Sequence, residues 1–277
     1  MVEKLVAEIE RLVLARVATG KIDVPPIDLV AMRCLEVLRD RDFDHRKLVK
    51  QIEKEPMIAA LVMRTANAAL YGQGVARLEQ AVLRLGALRL EAVILEYAAK
   101  NLFDNRGPFA DANRKIWEHS VAVARIARGL ASCVGKREPD QYYLAGLFHD
   151  IGKPVVAALL IETAKKVAPG IKSWLDVPLW DRVIRDCHPK AAVMVGVAWK
   201  LPPALMVNPV ADWDAADRHS ISNLVRMANA MAKKAGFVTG PVDDVELDVM
   251  ISAGTTLVGI DPKILEGVIG LATETQS

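Results

Sequence analysis

The sequence predicts an all-α fold. Three observations carry that expectation. Apolar residues recur three and four positions apart through nearly every segment. No stretch alternates long enough to make a strand. Aspartate, proline and glycine fall where helices start and stop.

Taken in order, Val2 to Val17 carries Leu5, Ile9, Leu12 and Val13 on one face, and Gly20 stops it. Val24-Pro25-Pro26 leads into a helix from Ile27 to Leu38, with proline in the first turn, where its missing N–H costs nothing. Asp44 is placed to cap a helix from Arg46 to Glu53. Glu55-Pro56 opens the next, Met57 to Leu70, and Tyr71-Gly72-Gln73-Gly74 closes it as a turn. A short helix, Leu78 to Leu85, breaks at Gly86, and another spans Leu88 to Phe103. Asn105-Arg106-Gly107-Pro108 marks the clearest boundary, dividing a helical bundle, 1–107, from a second helical region, 108–277.

Beyond that boundary a long helix spans Ala112 to Ser132, and Glu138-Pro139-Asp140 leads into one from Asp140 to Ile151. Pro154 opens a helix to about Lys166, Ala168-Pro169-Gly170 is a loop, and Trp174 to Pro178 is irregular. Leu179 to Asp186 is helical, and Cys187-His188-Pro189 starts a separate helix to Lys200. Leu201-Pro202-Pro203 starts a short one, and Pro209 to Asp217 is polar and irregular around Trp213. Ser220 to Ala235 is a strong helix, followed by a loop from Gly236 to Asp244 and helices over Val245 to Leu257 and Pro262 to Leu271. No internal repeat or low-complexity segment interrupts the pattern.

The composition supports a sizeable core, with 52% hydrophobic and 25% charged residues in 277. A net charge of +2, with signs interspersed and no basic block, argues against a nucleic-acid partner. Cys34, Cys133 and Cys187 are too few and too far apart for a disulfide framework or zinc ribbon, and suit a reducing compartment. Acidic residues near the N-terminus do not fit a signal peptide. No apolar run approaches the ~18 residues that a membrane span needs. The expectation is a cytoplasmic protein with no membrane partner.

The stretch with most chemistry is Leu144-Ala145-Gly146-Leu147-Phe148-His149-Asp150-Ile151-Gly152-Lys153. It sets an imidazole beside a carboxylate, and both can hold a divalent cation. Gly152 is placed to end the helix in the left-handed conformation. Helical bundles build such sites from ligands far apart in sequence. His119, within a long helix, and His188, at a helix start, would bring the set to three imidazoles and one carboxylate. That set suits zinc, iron, manganese or nickel. The plain alternative is that each histidine is hydrogen-bonded in the core and that Asp150 caps a helix or pairs with Lys153. His219 reads as capping or exposed, and His45 as surface. Asn67 is expected at a buried place, bonding to backbone near the Tyr71-Gly72 turn. The aspartates around Trp213 form an acidic surface loop or border the site. No Ser-His-Asp or Cys-His nucleophile arrangement stands out.

Leu144 to Lys153, with His119 upstream, resembles the HD superfamily of metal-dependent phosphohydrolases. Val24-Pro25-Pro26, Leu48 to Ile52, Glu55-Pro56-Met57, Met63 to Gly72 and Gln80 to Gly86 are similar to the amino-terminal signature of the HDOD (HD-related output) domain. His188, with Trp199 and Leu201-Pro202, matches its later part, so the resemblance covers about residues 20–235. It implies an amino-terminal helical bundle packed on an HD-like helical core, in a bacterial signal-transduction module whose relatives have mostly lost hydrolase activity. No receiver, GGDEF, EAL or kinase domain accompanies it here, so a stand-alone module is expected.

The resemblance also assigns residues. His119 falls on the first histidine ligand, His149 and Asp150 on the HD pair, Lys153 on the lysine that follows it, and His188 on the later histidine. The closing aspartate falls at Asn229, a neutral and poor ligand. The later histidine pair falls near Asp212 and Trp213 and is missing. The implied function is therefore regulatory, through a protein partner or a small nucleotide-like ligand, with at most one divalent transition metal at a degenerate site. The alternative is a metal-dependent phosphohydrolase acting on a nucleotide or cyclic dinucleotide, with Lys153 offsetting phosphate charge.

Overall fold

The helices begin where side chains satisfy the first free backbone N–H groups. A computed structural model describes residues 2–40, 42–68, 74–104, 107–167, 169–170, 179–208 and 211–273. The Tyr71-Gly72-Gln73 part of the expected turn, Asn105-Arg106 and Trp174 to Pro178 lie outside them. Among the described residues there is no strand. The first half holds α1 (Val2–Thr19), α2 (Leu29–Leu38), α3 (His45–Ile52), α4 (Pro56–Ala66) and α5 (Leu78–Phe103). The second holds α6 (Ala110–Cys133), α7 (Pro139–Phe148), α8 (Gly152–Val167), α9 (Leu179–Ala198), a short 3-10 turn (Pro203–Leu205), α10 (Ile221–Lys234), α11 (Asp244–Val258) and α12 (Pro262–Gly270).

Asp44 caps α3 as expected, accepting from the N–H groups of Arg46 and Lys47. Glu55 caps α4 ahead of Pro56. The helix expected from Ile27 starts two residues later, because Asp28 accepts from Val30 and Ala31 and so takes the cap position. α5 turns at Gly86, with φ 70° and ψ 173°, at the expected break. Asn67 is exposed, not buried, and clamps the backbone at Val75, donating to its carbonyl (2.9 Å) and accepting from its N–H (2.6 Å).

One continuous buried cluster runs from Val6 to Ala272 through both halves. In the first half α2, α3 and α4 pack around α5. In the second, α6 is flanked by α7 and α10, and α8 lies on α9. α5 joins the halves through α6, α7 and α8. α1 packs on α8 and α9, held by Arg16–Glu162 (3.1 Å) and Arg182–Glu10 (3.0 Å), so it attaches in space to the second half. Pro139–Val167 is long and apolar enough to cross a membrane, with mean hydropathy 1.5, contrary to the sequence expectation, but 83% of that window is buried in the fold.

The α5–α7 joint is polar and buried. The Tyr143 hydroxyl donates to Glu96 (2.7 Å), while the guanidinium groups of Arg89 and Arg128 lie over the Tyr143 ring. Arg89 also donates to Asp140 (2.8 Å). Tyr143→Phe removes one donor from a buried carboxylate and is expected to destabilise the fold by about 1–3 kcal/mol. Chemical denaturation checks this; an unchanged midpoint would mean that the joint contributes nothing.

Candidate metal centre

Two close helix contacts bring the histidines together. A side chain at Gly146 would lie 2.8 Å from Ala124 Cα, so glycine lets α7 rest against the backbone of α6. This sets the end of α7, with His149, beside His119 on α6. At Gly152 an added Cβ would lie 2.0 Å from the His188 carbonyl oxygen and 2.7 Å from Ala192 N. Gly152 therefore does not make the left-handed helix end that was expected. It begins α8, and its φ is not positive. What requires glycine here is the approach of α9, which carries His188.

The expected helix break at Pro189 is also absent, since α9 runs through it. Proline cannot donate to the carbonyl four residues back, that of Arg185. His188 Nδ1 donates to that carbonyl instead (2.5 Å). The proline thus frees the acceptor that orients the histidine.

The other two rings are held in the same way. His149 Nδ1 donates to the Gly146 carbonyl (2.7 Å), and His119 Nδ1 to that of Phe237 (2.8 Å), just beyond α10. A carbonyl only accepts, so each Nδ1 carries a proton, and a ring in its neutral form keeps its lone pair on Nε2. All three Nε2 atoms face Asp150: His149 at 3.3 Å and His119 at 4.0 Å from Oδ2, and His188 at 3.4 Å from Oδ1. Ligand atoms of His119, His149 and Asp150 lie within 4.8 Å of one another. His188 approaches from the other carboxylate oxygen. Exposure is 1% for His119, 2% for His149 and Asp150, and 5% for His188.

Burial pushes His119 down to about 3, and the neighbouring His149 adds to the shift. Burial likewise lowers His188. Burial alone would raise Asp150, but the positive field around it, with the Lys153 ammonium 2.6 Å away, holds it well below the usual carboxylate range. His119 and His188, held neutral by burial, thus turn lone pairs toward a carboxylate, and His149 Nε2 is buried with no hydrogen-bond partner. Acceptors converging on acceptors need a cation among them. Lys153 provides one, donating to Asp150 Oδ2 at 2.6 Å.

The donor set fits a divalent transition metal. Neutral Nε2 atoms, each with its Nδ1 anchored on backbone, are the usual imidazole ligands. Ligands about 2.1 Å from a shared ion stand roughly 3–4 Å apart, the spacing of the Asp150 contacts. His119, His149 and Asp150 would hold the ion, with His188 on the remaining oxygen.

The other candidates lie elsewhere. His219 bonds through Nε2 to the Val258 carbonyl (2.9 Å), and His45 is exposed against Phe43. Asp214 and Asp217 bond to backbone of their own loop, and Trp213 packs against Met227 and Gly254, between α10 and α11. Asn229 is 5% exposed on α10, its Oδ1 buried with no partner. Lys233, one turn further on, feels the charges of Lys153 and Asp150. Sequence reasoning missed Lys233 and Arg226. The only signal was their spacing with Asn229, three and four residues, along one face of α10.

The helices and the buried histidine–aspartate cluster define an all-α protein with an HD-like core. The HDOD domain profile matches residues 24–213, and the chain belongs to the HDOD family. No curated protein matches. Among solved structures, it is similar to a Shewanella amazonensis SB2B protein provisionally named a metal-dependent phosphohydrolase, at 22% identity and TM-score 0.69, covering 97% of this chain and 99% of that one. An HDOD domain protein of unknown function from Geobacter sulfurreducens aligns at 19% identity and TM-score 0.62, covering 99% of each chain. A provisionally named signal transduction protein from Marinobacter aquaeolei VT8 aligns at 20% and 0.51, covering 96% of this chain and 66% of that one. At these identities the likeness is one of fold.

Proposed function

We propose that this chain is a bacterial cytoplasmic regulatory module that acts by binding a protein partner or a small nucleotide-like ligand. Its buried cluster serves as a structural or ligand-sensing pocket. One observation carries the reading: Asp150 is the single carboxylate on which the three histidines converge, and it is already ion-paired with Lys153. Two-metal phosphodiester hydrolysis needs two ions clamped around the phosphate. One carboxylate, with neutral Asn229 at the position of the family's closing aspartate, does not furnish that set. On this reading the partner binds along the line where the first-half bundle meets the HD-like core.

A second reading is favoured by the three Nε2 atoms that face Asp150. His119, His149, Asp150 and His188 would hold one divalent ion, and Lys153 would offset phosphate charge. When bound, such an ion polarises a phosphoryl oxygen or lowers the pKa of a water. One experiment separates the two. The purified protein is loaded with manganese, zinc or nickel and offered nucleotides and cyclic dinucleotides, with Asp150→Ala in parallel. The regulatory reading expects turnover no higher than in the variant and no more than one ion per chain. Robust metal-dependent turnover, lost in a folded Asp150→Ala protein, replaces it with the second.

A further inference from the structure

On α10, which packs on α6 and α7, polar side-chain atoms are buried with no partner. Arg226, Asn229 and Lys233 stand at i, i+3 and i+7, one stripe of the helix about 10 Å long. The Arg226 guanidinium stacks over Trp213, 4.9 Å from the ring centroid, and its Nε and Nη1 are buried without a hydrogen-bond partner. Asn229 Oδ1 is likewise buried and unpartnered. The oxygen and nitrogen of an amide exchange by a flip, so Asn229 can offer a donor or an acceptor. Burial lowers Lys233 and the charge of Lys153 lowers it further, while Asp150 and Glu246 act in the opposite sense. Lys233 lies on α10, which packs on α6 and α7, the helices that bring His119 and His149 together. The bond from His119 to Phe237, just beyond α10, fixes the same packing.

Buried guanidinium N–H groups without acceptors are costly. Asp150 is already engaged by Lys153, and among the described residues neither Arg226 nor Lys233 forms an ion pair with a carboxylate. What is missing is negative charge with several acceptor oxygens. We propose that the Arg226–Asn229–Lys233 stripe is an anion site for a phosphoryl group, with the Arg226 fork and the Lys233 ammonium as its donors. Arg226 is pre-positioned by its stack on Trp213, so little side-chain freedom is lost on binding. This deepens the ligand-binding half of the proposed function and rests on that half alone.

The test is calorimetric titration of the full chain with inorganic phosphate, pyrophosphate and ADP. EDTA is present to remove metal-bridged binding, and sodium chloride matches the ionic strength. Pyrophosphate is expected to bind saturably, one per chain, with Arg226→Gln and Lys233→Gln each weakening it roughly tenfold or more. Lys47→Gln, an exposed change on α3, leaves it unaltered. Arg226→Lys keeps the charge and loses the fork, so it falls between wild type and Arg226→Gln; it also serves if the glutamine variant does not fold. ADP binding tighter than pyrophosphate identifies a nucleotide as the source of the phosphoryl group, and equal binding identifies free phosphate. No saturable binding, or binding that Arg226→Gln and Lys233→Gln leave at the Lys47→Gln level, overturns the site. Turnover does not enter this readout, so a failed titration removes the anion site without touching the regulatory reading.

Discussion

Lys153→Gln is expected to weaken the metal-free protein and to tighten its hold on a divalent ion. The Lys153–Asp150 pair is short, and its carboxylate is 3% exposed. Removing one partner of a buried pair leaves the other uncompensated, at about 3 kcal/mol. For a chain of this size that lowers the melting temperature by roughly 5 °C or more. The glutamine removes a positive charge from the point where a metal would sit, so repulsion of a divalent ion falls. At a hundred times its dissociation constant, an ion returns about 2.7 kcal/mol. Melting curves in EDTA and in excess manganese test both halves. The expected result is a large stabilisation by manganese in Lys153→Gln and a smaller one in wild type. If the variant melts like wild type in EDTA, the pair is not holding the fold. If manganese stabilises neither protein, the histidines are core residues and no ion belongs there.

The same pair explains why the site was only partly legible in sequence. The residue types His119, His149, Asp150 and His188 could be picked out from helix positions and a family resemblance. Their roles depend on which ring nitrogen faces inward, and that is set by backbone carbonyls of Gly146, Arg185 and Phe237. Phe237 lies 118 residues from its histidine, and no local pattern links them. Helix starts, by contrast, are local events. Asp44, Glu55 and the Gly86 break were all readable, because each acts on a backbone within a few residues of itself.

The errors follow the same division. Cys187-His188-Pro189 reads as a helix start in the sequence; that an imidazole occupies the carbonyl which proline cannot reach is a matter of side-chain geometry. Beyond their spacing with Asn229, nothing in the sequence sets Arg226 and Lys233 apart from the other cations of the chain. Only packing shows that Arg226 stacks on Trp213 with guanidinium nitrogens buried and unpartnered.

Gly152→Ala is expected to be the most damaging small substitution in the molecule. Gly152 was first read for its backbone freedom, yet its φ is ordinary and alanine suits a helix start. The obstacle is space. The new methyl would sit 2.0 Å from the His188 carbonyl oxygen, 2.9 Å from the His188 carbonyl carbon and 2.7 Å from Ala192 N. These are backbone atoms of α9, so no side chain can swing aside, and the helix itself has to move. Overpacking against such atoms exceeds the usual 1–3 kcal/mol of a core insertion, and on the order of 4 kcal/mol is expected. Moving α9 draws His188 away from Asp150 and opens the cluster. Two measurements distinguish this from general loss of stability. The melting temperature should fall by roughly 8 °C. At temperatures where the variant is still folded, the ring protons of His188 should shift while those of His45, far from the contact, stay in place. A variant that melts like wild type would mean that α8 and α9 are not pressed together at Gly152, and the position of His188 over Asp150 would lose its structural cause.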